Sequence, residues 1–181
     1  MSTPTHSGEA ITILKVEPRE DTGIVLTSPS AGPDGRLEDR CSAYHDNLSP
    51  PLNWTEVEGA EAYALVVEDP DAPRAQPFVH WMIWNIPGQA RSLPEGLLNT
   101  PQLTTPYRAI QGRNDNDSYG WFGPRPPVGH GVHRYYFQLF ALDQKLDMGP
   151  DTTLAELLNG LKGHTLAQGE LMATYEAPRP Q

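Results

Sequence analysis

A chain of 181 residues with a formal charge of −10 at pH 7 is long enough for one domain with a proper core, and no break in composition marks a second. Its 13 cations are scattered among 23 acids, which excludes the clustered basic face that nucleic acids and anionic membranes require. No stretch approaches the roughly 18–20 apolar residues of a membrane span, no signal-peptide pattern opens the chain, and the single Cys41 suits a reducing compartment, so a cytoplasmic protein is expected.

Residues 1–9 are small and polar and are expected to be disordered, as is the Pro-rich tail 177–181, which leaves 10–176 as the single domain. The 19 prolines and 16 glycines are spread between apolar runs, the distribution of many short strands joined by tight loops. Residues 10–16 alternate in part and read as a first strand, and 23–27 as a second. Gly32-Pro33-Asp34-Gly35 is turn chemistry, and 38–47 is polar and irregular. From Asn47 to Trp54 the chain is stiffened by Pro50 and Pro51, each of which fixes its own φ and pushes its predecessor out of the α region. That segment is expected to form an ordered extended strap ending in a packed tryptophan.

Residues 62–68 and 78–86 are apolar on both faces and read as central strands covered on both sides. Between 91 and 117, Pro94, Pro101 and Pro106 prevent a long helix, leaving a lid or an edge strand near Tyr107. The aromatic-rich run 133–143 is a third central strand. A helix starts at Thr153, whose spacing to Glu156 is a capping box, and ends at Gly163. A last strand covers 166–175, with Gly169 as a bulge.

Two polar turns flank these strands. The first, Glu68-Asp69-Pro70-Asp71-Ala72-Pro73, delivers two carboxylates to the sheet end that also carries His80, which by alternation shares its face with Phe78, Met82 and Trp84. The second, Gly123-Pro124-Arg125-Pro126-Pro127, leads to His133. Gly123, Gly129 and Gly131 are expected to allow close backbone approach, while Pro126 and Pro127 form a rigid apolar wall. The two turns are expected to face each other across a small anion-binding pocket. Two imidazoles beside Asp69 and Asp71 hold a proton near neutral pH, and charge is expected to prevail over burial once an anion is bound. No Gly-rich loop leads into a lysine and a helix, and neither HExxH spacing, cysteine pairs nor a Gly-x-Ser-x-Gly elbow occurs; no cofactor and no metal are expected.

Several ordered motifs together resemble the phosphatidylethanolamine-binding protein family, also called Raf kinase inhibitor-like proteins, in its bacterial form. They are Leu26-Thr27-Ser28-Pro29, the strap from Asn47 to Trp54, Asp69-Pro70-Asp71-Ala72-Pro73, His80-Trp81, Gly123 to Pro127 with His133-Arg134-Tyr135, and Gly163-His164 with Leu166 to Leu171. The resemblance runs from about Ile24 to Tyr175. It implies an all-β-dominated, β-sandwich-like fold with a central antiparallel sheet, a smaller second sheet and one or two short helices. It also implies a pocket for phosphate or phosphoryl head groups lined by Asp69, Asp71, Pro73, His80, Gly123, Pro127, His133 and Tyr135, in a chain that can form homodimers. The bulky Trp121 and Phe122 depart from the family pattern and bear on the width of the pocket mouth. The expected function is non-enzymatic ligand binding, with a kinase or protease as the partner to be regulated. The alternative is a hydrolase using Asp69 or Asp71 with His80 or His133 as general acid and base; it lacks an activated nucleophile in the sequence.

Overall fold

A computed structural model describes residues 9–179. Nine strands and one helix follow in chain order: β1 (Leu26–Thr27), β2 (Leu52–Trp54), β3 (Ala62–Asp69), β4 (Phe78–Pro87), β5 (Ser92–Leu93), β6 (Gln102–Leu103), β7 (Ala109–Gln111), β8 (His133–Leu142), α1 (Leu154–Leu161) and β9 (Thr165–Tyr175). They form a three-stranded sheet, β1-β2-β5, and a six-stranded sheet, β6-β7-β4-β3-β8-β9, with every pairing antiparallel. Among the described residues no helix is long and apolar enough to cross a membrane.

The central strands are buried on both faces, as their unbroken apolar runs require: every residue of β3 is buried. One face of the large sheet packs on the small sheet, bringing Tyr63, Leu65, Trp81, Ile83 and Phe137 against Leu26, Leu52, Trp54 and Leu93. The other face is covered by α1 through Leu157 and Leu161 and by the N-terminal segment through Ile11, Ile13 and Val16. The helix opens with the expected capping box of Thr153 and Glu156.

The N-terminal segment is not the strand that its alternation suggested. Thr12–Lys15 is a 3-10 turn, because buried side chains take the backbone donors that a ladder would have used. Glu68, 1% exposed, accepts from the Thr12 N–H (2.8 Å), the Thr12 hydroxyl (2.6 Å) and Gln138 Nε2 (2.9 Å), while the Ile13 N–H donates to Gln138 Oε1 at 2.7 Å. Of residues 23–27 only Leu26 and Thr27 pair with β2; Ile24 N–H donates instead to the Gln168 carbonyl at 3.0 Å, on the edge of the large sheet. The loop 91–117 supplies the three short strands β5, β6 and β7, with Tyr107 between the last two. Of the ends expected to be disordered, 1–8 and 180–181 lie outside the described residues, whereas Glu9 pairs with Arg134 and Ala177 is buried.

Gly169 is no bulge. It pairs in register with Leu139, and the irregularity of that ladder lies at Ala141–Leu142. Glycine is required because a Cβ there would stand 1.9 Å from the Ile24 carbonyl oxygen, where the crossing segment is hydrogen-bonded to β9. Gly169→Ala is therefore expected to cost about 1–3 kcal/mol in urea unfolding. Gly149→Ala, which meets nothing within 4 Å, should change stability by no more than about 0.5 kcal/mol. Equal midpoints for the two variants would show that the close approach is not rigid.

Candidate functional site

The ends of β3, β4 and β8 converge with the two polar turns. At the end of β3, Asp69 Oδ1 accepts the Asp71 N–H at 2.7 Å, a local turn-closing bond. Its other oxygen, Oδ2, meets Nδ1 of His133 at 2.7 Å, at the start of β8. Both side chains are almost wholly buried, 5% and 2% exposed. Burial pushes the Asp69 carboxyl above its usual range against the opposing pull of His133.

His80 reaches the site through a bulge. Val67 pairs with Trp81 and Glu68 with Val79, so His80 is the extra residue of β4 and the alternation restarts after it. In consequence Met82 and Trp84 pack with Val79 on the face under α1, not beside His80 as simple alternation implied. His80 instead stands 4.7 Å from the Phe78 ring and 5.1 Å from Tyr135, centroid to centroid. Its Nδ1 donates to the Phe122 carbonyl at 2.5 Å, and Phe122 N–H returns a bond to the His80 carbonyl at 3.0 Å. A carbonyl can only accept, so the proton of the neutral ring sits on Nδ1 and Nε2 is left as an acceptor. Burial holds this imidazole down at about pKa 4. At His80 burial outweighs the opposing pull of the bond to the Phe122 carbonyl.

These groups enclose a cavity of about 300 Å³. Its buried polar lining is Asp69, His80, His133 and Tyr135, its apolar walls are Ala72, Pro73, Phe78, Phe122, Pro126 and Pro127, and the exposed Arg74 and Arg125 stand at its edge. Among the described residues the Tyr135 hydroxyl is buried without a hydrogen-bond partner, and burial followed by the nearby Asp69 pushes its pKa far up, so it is a fixed donor. Arg74 also meets Asp115 at 3.3 Å, and Arg125 lies 5.2 Å over the Tyr44 ring.

The two turns thus face one cavity, and it includes Asp69, Pro73, His80, Pro127, His133 and Tyr135 of the expected set. Asp71 and Gly123 are not part of its lining. Asp71 is held by Arg134, accepting from its N–H at 2.8 Å, Nε at 2.9 Å and Nη2 at 2.8 Å, and this pairing keeps its carboxyl below the usual range. Gly123 packs the second turn onto the 41–47 segment: a Cβ would stand 2.0 Å from the Cys41 carbonyl, and its N–H donates to Asn47 Oδ1 at 2.6 Å. Trp121 is also turned away, donating to the Cys41 carbonyl at 3.0 Å, so of the two bulky aromatics only Phe122 narrows the cavity. Sequence reasoning did not single out Arg74 or Arg125 as rim groups, nor His130, whose Nδ1 lies 2.5 Å from His133 Nε2. The His-x-x-His spacing was visible, but it carries no meaning until the turn between the two rings is known. Among the described residues no three His, Cys, Asp or Glu side chains are grouped to hold a metal ion.

A family model described as phosphatidylethanolamine-binding protein matches residues 27–176. A UPF0098 protein of Pyrococcus abyssi is 41% identical over 154 residues, covering 84% of this chain and 85% of its own. Another from Methanothermobacter thermautotrophicus is 40% identical over 142 residues, with 78% and 91% covered. Among solved structures, YbcL of E. coli, described as a new member of the mammalian PEBP family, superposes with a TM-score of 0.77 at 29% identity, over 87% of this chain and all (100%) of that one. A Chlamydia trachomatis protein described as a homologue of the same family gives 0.76 at 33% identity, over 86% and 99%.

Proposed function

The chain belongs to the phosphatidylethanolamine-binding protein family, and we propose that it is a non-enzymatic protein whose cavity captures a phosphate or phosphorylated head group as its protonated monoanion. The observation that carries this is the pairing of opposite hydrogen-bond roles in one small cavity: the unpartnered Tyr135 hydroxyl can donate, and the Nε2 of His80 can accept. A buried polar group without a partner costs about 1–3 kcal/mol, which a ligand that fits it recovers. A phosphate monoanion offers both complements, an oxygen for Tyr135 and an O–H for His80, while Arg74 and Arg125 supply positive charge at the edge. The fully ionised dianion lacks the O–H and would face the lone pair of His80 and the carboxylate of Asp69.

A phosphorylated side chain on a kinase or protease presents the same chemistry, and regulation of such a partner would proceed by docking that group here. Hydrolysis fits the groups less well. Asp71 is committed to Arg134, and among the described residues the cavity lining holds no Ser, Thr, Cys or Lys to act as a nucleophile.

Calorimetric titration with phenyl phosphate and with phosphoethanolamine tests this from pH 5 to pH 8. Affinity should fall about tenfold per pH unit above the ligand's second pKa of about 6, and Tyr135→Phe should weaken binding roughly fivefold to tenfold. Affinity that is flat over this range, or unchanged in Tyr135→Phe, would remove the ligand from the cavity.

A further inference from the structure

His133 lines the cavity, yet it has nothing to offer a ligand while both its nitrogens are spent, Nδ1 on Asp69 at 2.7 Å and Nε2 on His130 at 2.5 Å. The two contacts differ in kind. Asp69 is buried and fixed at a strand end, whereas His130 sits on an exposed loop between Val128 and Val132, which are 59% and 58% exposed. Gly129 (φ +82°) and Gly131 (φ +89°) flank it, and a Cβ on either would meet no atom within 4 Å. These glycines therefore do not serve the close approach expected of them. They supply left-handed backbone in open space, which turns the loop so that one ring folds back onto the strand below. Among the described residues, the only other hydrogen bond of residues 128–132 is His130 N–H to the Pro127 carbonyl at 3.0 Å, which closes the turn locally without tying it to the sheet.

We propose that His130 is an autoinhibitory latch on the phosphate pocket: it occupies His133 Nε2, and the loop swings away on Gly129 and Gly131 when a phosphate oxygen takes its place. This rests on the phosphate-binding function proposed above. A phosphate oxygen that takes this place accepts, so the proton between the two nitrogens is one that His133 Nε2 donates, to His130 in the latched loop and to the ligand in the open one. The loop must therefore be released before His133 contributes, and the apparent affinity of the pocket is reduced by the fraction of molecules still latched.

Removing the latch should tighten binding, the opposite of what loss of a structural residue does. His130→Ala is expected to bind phenyl phosphate about fivefold more tightly, the factor equivalent to one net hydrogen bond of about 1 kcal/mol. The ligand-free variant should also show raised fast backbone mobility at residues 128–132 by ¹⁵N relaxation, with the rest of the fold unchanged. His130→Gln retains an amide oxygen that can accept from the His133 Nε2–H and should return both readouts toward wild type. Loop mobility unchanged in His130→Ala would show that the contact holds nothing, and a freed loop with equal or weaker binding would show that it does not compete with ligand; either overturns the latch. If neither wild type nor His130→Ala binds phenyl phosphate, the phosphate reading has failed and the latch falls with it, whereas binding that is seen only in His130→Ala supports both.

Discussion

Trp54→Ala is expected to lower the stability of the fold by about 3–5 kcal/mol without changing ligand binding. Trp54 ends the proline-stiffened strap as the last residue of β2 and is 6% exposed. Its ring centroid lies 5.5 Å from that of Tyr63 on β3, so it joins the small sheet to the large one. Its indole nitrogen is buried without a hydrogen-bond partner among the described residues, which means that the cost of truncation is cavity and lost contact alone. Trp54→Phe should therefore cost much less, about 1 kcal/mol, in the same urea titration. Since a domain has only some 5–15 kcal/mol in total, the alanine variant would sit near the unfolding threshold at 37 °C. The cavity lining does not include Trp54, so the phenyl phosphate affinity of the folded fraction should match wild type. A midpoint within error of wild type would mean that the two sheets are not joined through this ring.

Acid should destabilise the protein through His80. The buried ring holds its pKa at about 4 against the ordinary 6.5, so between these values the unfolded chain takes up a proton that the folded one refuses. Stability is then complete above about pH 6.5 and is lost as pH falls toward 4, by about 3 kcal/mol over the whole window. Asp69 works in the other direction, since its raised pKa lets the folded state bind a proton first, and Asp71 contributes only at lower pH, where its depressed carboxyl finally protonates. Comparison with His80→Phe isolates the imidazole. The variant should be about 1 kcal/mol less stable at pH 7.5, because the Phe122 carbonyl loses its donor, yet its stability should fall by about 3 kcal/mol less than wild type between pH 7 and pH 4. Parallel pH profiles for the two proteins would show that His80 is not held neutral.

Much of the fold could be read from the residues because it is written in local patterns. Unbroken apolar runs announce β3, β4 and β8 as strands covered on both faces, and Thr153 with Glu156 announces the start of α1, since these signals act over one to four residues. Where a local signal misled, a distant group had intervened. The alternation of residues 10–16 is real, but Glu68 and Gln138, 56 and 125 positions away, take the backbone donors and bend the segment into a turn. Gly169 looked like a bulge because its sequence context does not contain Ile24, whose carbonyl is the reason for it.

The site divides in the same way. By itself the sequence determined which chemical groups reach one end of the sheet, because strand-to-turn junctions place Asp69, His80 and His133 there whatever the details of packing. Only the tertiary structure decided what each group is free to do. Arg134, 63 residues from Asp71, removes that carboxylate from the cavity; one extra residue at His80 resets the faces of β4; and His130 folds back on His133 across two glycines. The physical reason is that a hydrogen-bond donor or acceptor has few valences, and which are already filled depends on partners that come near only when the chain has folded.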